Sequence, residues 1–293
     1  MKETALLVGN DINNINPGVS WNDLIISLKE RYRVPGLVNG KKPFPLLYEE
    51  IFLSAIKQRY IDEKELKIFI ADHVFQIGQN EIHERIRALP IQNIITTNYE
   101  FSLEGTSPQK NTGLVRETLY SIFRQYLHGQ KSYWHIHGDC KNPSSINLGF
   151  EHYCGQLQKM RDYVVNGPDY ASKKIYKRAL IQRLLQNEDL VLQSWIDLFF
   201  THDVHIFGLS LDFVETDLWW LMTYRARNKL YKRSAFIKNE LYYYIPTRYV
   251  EDSLDKIELL KATGVHVIII DEQDKAIYYH KVIDQITRRI KGQ

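Results

Sequence analysis

Two cysteines, Cys140 and Cys154, are all that 293 residues supply. That excludes a disulfide framework, and it equally excludes a four-cysteine zinc ribbon, which needs four thiolates around one metal. Charge of one sign is also missing: 38 Lys+Arg stand against 35 Asp+Glu, a net of +3. A global electrostatic attraction to nucleic acid is therefore not built in. Long apolar runs are absent too. No window approaches the roughly 18 uninterrupted apolar residues of a membrane span. The opening Ala5 to Val8 is too short for the core of a signal peptide. The expectation is a cytoplasmic protein without a membrane segment. Aromatic residues are not scarce; 12 Phe, 19 Tyr and 5 Trp argue against a disordered chain.

Strand signals alternate with helix signals. Thr4 to Val8 is apolar without alternation and ends in Gly9-Asn10, the pattern of a strand buried on both faces. Ser20 with Asp23 three residues later has the form of a capping box ahead of Trp21, Leu24, Ile25 and Leu28. A Gly/Pro loop is expected over residues 35–45, followed by helix over 48–87. Further strands are predicted at Ile91 to Thr97, Tyr133 to His137, Val204 to Leu209, Leu241 to Ile245 and Val265 to Ile270. Helices are predicted at Asp217 to Lys229, at Leu254 to Lys261 with Gly264 as its cap, and from about Tyr278 onward. The fold class that follows is α/β: a Rossmann-like parallel sheet with helices on both faces. Its core is expected over about 1–28, 89–150 and 199–293, with helical insertions over about 30–88 and 151–198 forming a smaller domain within a single unit 1–293.

Polar residues gather where the predicted strands end, the edge at which open α/β sheets bind ligands. Four clusters stand there: Gly9-Asn10-Asp11-Ile12-Asn13, Thr96-Thr97-Asn98-Tyr99, His135-Ile136-His137-Gly138 and Gly208-Leu209-Ser210-Leu211. Each alone is a weak signal, because a strand followed by Gly or Asn is common. All four in this order are much stronger.

With these residues in view the chain resembles the sirtuin-like (silent-information-regulator type) superfamily, whose members use NAD and break its nicotinamide–ribose bond. The resemblance runs from Leu6 to Ile270. It matches Leu7-Val8-Gly9-Asn10 to the family's first strand and Gly-rich loop, and Thr96-Thr97-Asn98 to its Thr-Xaa-Asn motif. It likewise matches His137-Gly138 to the catalytic His-Gly, and Gly208 to Leu211 to the strand end that contacts ribose and phosphates. Thr-Thr-Asn-Tyr and His-Ile-His-Gly look most like the bacterial antiphage-defence branch. The resemblance implies Asn98 and His137 as the catalytic pair. Gly9, Asn10, Asp11, Asn13, Thr96, Thr97, Gly138, Gly208, Ser210 and Leu211 would contact NAD. Asp271, which follows the last predicted strand, reads either as a contact to adenosine or as a plain loop acid. The chain departs from the family at Asp11, where a second Gly is usual, and at Glu100, where an Asp often follows.

The chemistry suits these residues. Cleavage of the N-glycosidic bond passes through an oxocarbenium-like transition state. Nicotinamide leaves as a neutral molecule from a cationic substrate and needs no acid. A positioned water and a base are what remain, and an imidazole serves near neutral pH. The reading is an NAD glycohydrolase giving nicotinamide and ADP-ribose, the NAD-depleting effector of an antiphage system. NAD is its substrate, and no metal is expected. The resemblance implies a homo-oligomer and control by a separate partner such as a HerA-type ATPase or an Argonaute-like protein. The alternatives are a module that binds NAD or ADP-ribose without cleaving it, and a sirtuin-like deacylase or ADP-ribosyltransferase. The missing cysteines weigh against a deacetylase.

Other features read blandly. His135 and His137 alternate along a predicted strand and could pair on a metal near Cys140, but third and fourth ligands are not evident; His135 reads as structural and Asp139 as a turn residue. His152, His202, His205 and His266 carry no motif and read as structural or surface. Residues 159–183 hold seven Lys/Arg against two Asp, a stretch read as a solvated helix face rather than a nucleic-acid site. A second basic group, Arg225, Arg227, Lys229, Lys232 and Arg233, follows Trp219-Trp220, which read as core.

Overall fold

A computed structural model describes residues 3–16, 20–34, 42–59, 61–106, 108, 110–115, 117–170, 174–186, 191–233 and 236–292. Most of the loop expected over 35–45 lies outside them, as do the side chains of Lys232 and Arg233. The described strands are β1 (Thr4–Val8), β2 (Asn93–Thr96), β3 (Tyr126–His128), β4 (Lys131–His135), β5 (Asp203–Phe207), β6 (Leu241–Pro246) and β7 (Val265–Ile270). They form one sheet in the order β3-β4-β2-β1-β5-β6-β7. Every neighbouring pair is parallel except the hairpin β3–β4. The helices are α1 (Trp21–Tyr32), α2 (Phe44–Arg59), α3 (Glu63–Phe75), α4 (Glu81–Ala88), α5 (Phe150–Arg161), α6 (Leu180–Leu185), α7 (Trp195–Thr201), α8 (Thr216–Asn228), α9 (Leu254–Ala262) and α10 (Lys275–Lys291). This is the expected Rossmann-like α/β fold.

The unalternating apolar runs have their cause in two cores, one on each face. Leu6 and Val8 of β1, Ile94 of β2 and Phe207 of β5 pack with α1, α2, α3, α4 and α10. Their neighbours Ala5, Leu7, Ile95, Val204 and Ile206 pack on the opposite face with α5 to α9. Successive strand residues point to opposite faces, so a strand covered on both sides must be apolar throughout. The helical stretches 44–88 and 150–201 contribute to these same two cores. The capping box at Ser20 forms as expected: Asp23 N donates to Ser20 Oγ at 3.2 Å, and Ser20 N to Asp23 Oδ2 at 2.8 Å.

Two expectations need correction. The strand drawn over Tyr133 to His137 ends at His135, and β3 precedes it as an antiparallel partner. The chain leaves the sheet because Gly138 takes φ +95° and folds back against Ser145. The basic stretches are also not purely solvated. Arg183 is buried with its guanidinium donating to Tyr163 Oη at 2.8 Å. Arg225 is buried and donates to the carbonyls of Phe199 and Asn239. Trp219 and Trp220 are half-buried against the second core.

Candidate active site

Strand register brings the four clusters to one ledge. Val8 pairs with Thr96 and with Phe207, and Thr96 pairs with His135. Those four residues are level across β4, β2, β1 and β5, so the segments that follow them leave the sheet side by side. Strand order reverses at β1, with β2 on one side and β5 on the other. Such a switch point is where doubly wound sheets open a crevice. Asn98 and His137 each lie two residues beyond a paired position, one past Thr96 and one past His135.

The floor of the crevice is backbone held close. Gly9 N donates to Phe207 O at 3.1 Å and Asp11 N to Gly208 O at 2.9 Å. A Cβ on Gly9 would stand 2.4 Å from Gly208 O, so only glycine permits this approach. Gly208 itself takes φ +68°, and the buried Leu211 takes φ +50°. A branched side chain in the left-handed region is strained, and such strain concentrates at functional sites. Ser210 is exposed beside it, its carbonyl accepting from Lys256 Nζ at 2.7 Å. Thr96 works structurally, its Oγ1 donating to Val8 O at 2.9 Å and accepting from Asn98 N at 3.0 Å. Thr97 is buried beside it.

Asn98 is buried, and its Nδ2 donates to Glu100 Oε1 at 3.1 Å. Its Oδ1 is shielded from solvent and has no hydrogen-bond partner among the described residues. A buried unpaired acceptor costs about 1–3 kcal/mol, a debt that a ligand donor would cancel. Asn98 and Glu100 line a cleft with Asn10, Ser20, Trp21 and Tyr99.

His137 is also buried, with Nε2 at 2.9 Å from Asp217 Oδ2. Tyr153 stands edge-on to its ring at 5.1 Å, and Asn147 N donates to its carbonyl at 2.8 Å. No partner for Nδ1 occurs among the described residues. Asp217 lies in the first turn of α8, is fully buried, and accepts on Oδ1 from Leu218 N at 2.9 Å. An ionised carboxylate on Nε2–H fixes the tautomer that leaves Nδ1 free to accept a proton. The sequence alone marks Asp217 only as a helix start. The available signal is an acid in the turn right after the Gly208 cluster. Glu215, one residue ahead of the helix, is buried near Asp217 and Asp212. Burial above all, then those carboxylates, push its carboxyl up to about 8.

His135 donates from Nε2 to Glu104 at 2.7 Å and from Nδ1 to Asn98 O at 2.9 Å. Burial opposes its charge, but the Glu104 carboxylate outweighs this and holds its pKa above the usual value. Each His thus has its own carboxylate, and the two do not share a face. Burial pushes the Cys140 thiol up to about 12, so it is not a ready thiolate ligand. Among the described residues no group of three or more His, Cys, Asp and Glu is arranged to hold a metal ion. Asp139 is more than a turn residue: it accepts from Arg124 at 2.6 Å and Tyr126 at 2.9 Å, all buried. The Asp11 carboxylate accepts from Lys275 at 2.7 Å and Tyr279 at 2.5 Å of α10. Asp271 is exposed at the end of the edge strand β7, three strands from β1. No described helix is long and apolar enough to cross a membrane.

A comparison with curated proteins finds no match. A family model described as the SIR2-like domain matches residues 92–268, a span holding Asn98, His137, Gly208 to Leu211 and Asp217, while Gly9 to Asn13 precede it. The match covers more than half of the chain, and the paired strand ends it contains carry the motifs read from the sequence: this chain belongs to the SIR2-like family, whose domains use NAD.

Proposed function

We propose that this protein hydrolyses the nicotinamide–ribose bond of NAD, giving nicotinamide and ADP-ribose. The observation that carries the reading is the buried His137–Asp217 pair two residues past His135, on the strand paired with the one that Asn98 follows, the buried Oδ1 of Asn98 having no partner among the described residues. The residues present fit such a substrate. Gly9 and Gly208, packed backbone to backbone at the strand ends, carry no side chain to stand in a ligand's way. Asn98 Oδ1 is an acceptor suited to a ribose hydroxyl or to the reacting water.

His137 acts as the base. Nδ1 takes the proton of a water, and Asp217 stabilises the charge that then forms on the ring, through the hydrogen bond at Nε2. Asn98 orients the hydroxyl or water that loses or shares the proton. Glu215 adds a further carboxyl close to Asp217, and the buried Tyr153 packs edge-on against the His137 ring. NAD supplies a cationic leaving group, so none of these residues has to donate a proton to it.

The biological setting belongs to the same proposal and rests on resemblance alone: an NAD-depleting effector of a bacterial antiphage system, working as a homo-oligomer in the cytoplasm under a HerA-type or Argonaute-like partner. The test is to incubate the protein with NAD, alone and with the product of its neighbouring gene, and to follow nicotinamide release. Release that falls at least about 10²-fold in both Asn98→Ala and His137→Ala is the expected result. Undiminished release in both variants would overturn the site assignment.

A further inference from the structure

Behind Asn98 runs a chain of buried polar groups whose direction is fixed at its far end. Asn80 N, a backbone group that can only donate, bonds to His83 Nδ1 at 3.0 Å. His83 Nδ1 therefore accepts, and the ring proton sits on Nε2. That proton points at Asn13 Oδ1, 2.9 Å away. With its oxygen so engaged, Asn13 presents Nδ2, which donates to Glu100 Oε1 at 2.9 Å and to Asn10 Oδ1 at 2.7 Å. Glu100 Oε1, already accepting from Asn13, also accepts from Asn98 Nδ2 at 3.1 Å. Each step leaves the next group one choice. The last choice gives Asn98 Nδ2 to Glu100 and leaves Oδ1, shielded from solvent, without a partner among the described residues.

We propose that His83, Asn13 and Glu100 are positioning residues that fix which way round the Asn98 carboxamide stands, so that an acceptor and not a donor meets the reacting centre. An amide side chain is nearly symmetric in shape and can rotate by half a turn at little steric cost. An inverted Asn98 would offer two N–H donors to a ribose hydroxyl or water that must itself donate. The chain prevents this through links that span 70 and 87 residues of sequence, across α4, the first loop and the end of β2. His83, Asn13 and Glu100 are all buried, so a missing member leaves its neighbours to be satisfied by a less directional partner.

The activity arm of the test rests on the NAD-cleaving reading; the structural arm does not. Glu100→Ala removes the acceptor, and Asn13→Asp places a second carboxylate against Glu100. Both are expected to lower kcat for nicotinamide release by about 10²-fold, with KM for NAD changed far less. The double variant Asn13→Asp with Glu100→Gln re-creates the polarity. The new carboxylate at position 13 accepts from His83 and from the new amide at position 100, whose oxygen in turn accepts from Asn98. It is expected to recover most of the loss in Asn13→Asp, an outcome that general damage to packing does not produce. Independently of catalysis, the Asn98 side-chain NH₂, assigned by its disappearance in Asn98→Asp, is expected to exchange slowly with solvent in the wild type. It should exchange markedly faster in Glu100→Ala while the melting curve stays cooperative. Unchanged exchange in Glu100→Ala overturns the proposal, as does an active wild type whose kcat survives Glu100→Ala. A wild type that releases no nicotinamide but shows the exchange pattern overturns the enzymatic reading and leaves the positioning chain standing.

Discussion

Asp217→Asn changes one atom and almost no volume, yet the surroundings of Asp217 decide how much it should cost. Two donors reach the carboxylate: Leu218 N at Oδ1, 2.9 Å, and His137 Nε2 at Oδ2, 2.9 Å. An Asn has a single oxygen. The backbone N–H of Leu218 cannot become an acceptor, so the Asn oxygen stays with it and the Asn NH₂ faces His137. Nε2 must then accept, the ring proton moves to Nδ1, and the base can no longer take a proton from water. The expected loss is that of the base itself, about 10²–10⁴-fold in kcat. Asp217→Ala removes the partner without imposing the wrong tautomer. It forfeits only a charge-assisted hydrogen bond of about 1.5–3 kcal/mol, which at about 1.36 kcal/mol per tenfold is about 10- to 150-fold. The smaller side chain should therefore be the more active of the two. Nicotinamide release under single-turnover conditions measures this, and the ring ¹⁵N shifts of His137 report the tautomer directly. Asp217→Asn matching or exceeding Asp217→Ala, with both folded, would refute the tautomer argument.

The acidic group beside the dyad sets a pH dependence. Between the ordinary 4.5 of a glutamate and about 8 at Glu215, the native state holds a proton that the unfolded chain has released, so stability falls as pH rises through that window. At about 1.36 kcal/mol per pH unit this is capped at about 5 kcal/mol. Glu215→Gln should gain on the wild type as pH rises through that window in denaturant melts; parallel profiles would refute it. Gly9→Ala places Cβ 2.4 Å from Gly208 O and 2.8 Å from Leu209 Cα, all backbone, and should destabilise by about 1–3 kcal/mol while abolishing NAD binding by calorimetry. Gly78→Ala, where a Cβ meets nothing within 4 Å, is the control and should bind normally.

What is legible in the sequence is whatever the chain states locally. A strand covered on both faces reads as a near-continuous apolar run, so β1 and the centres of β2, β5 and β6 can be read, the apolar edge strand β7 is read from the same signal although much of it is exposed, and the polar residues ending them follow. Asn98, His137 and the Gly208 cluster come from that reading. The three-residue β3 is too short to signal itself; the turn at Gly129, φ +59°, is its trace. Asp217 escapes because an acid in the first turn of a helix already has a local reason to be there. Asp11 stands out as a departure from the family and reads as a contact to NAD. Its carboxylate meets Lys275 and Tyr279, 264 and 268 positions later, a pairing that no local pattern announces. The chain from Asn80 to Asn98 is invisible for the same reason: its links are polar residues that each look like ordinary turn or cap formers.

That fastening of Asp11 has a consequence for biosynthesis. Chains are made from the N-terminal side, so β1 and the loop after it leave the ribosome well before α10. The carboxylate that anchors the loop finds its lysine and tyrosine only once residues 275–279 have been made and α10 has docked. Until then the loop carrying Gly9, Asn10 and Asn13 lacks its outer support. A chain halted between α9 and α10 holds Asn98, His137 and Asp217 and still lacks that brace. For a protein whose proposed action would starve a cell of NAD, the late arrival of α10 delays the completed site until synthesis has passed every residue that does the chemistry.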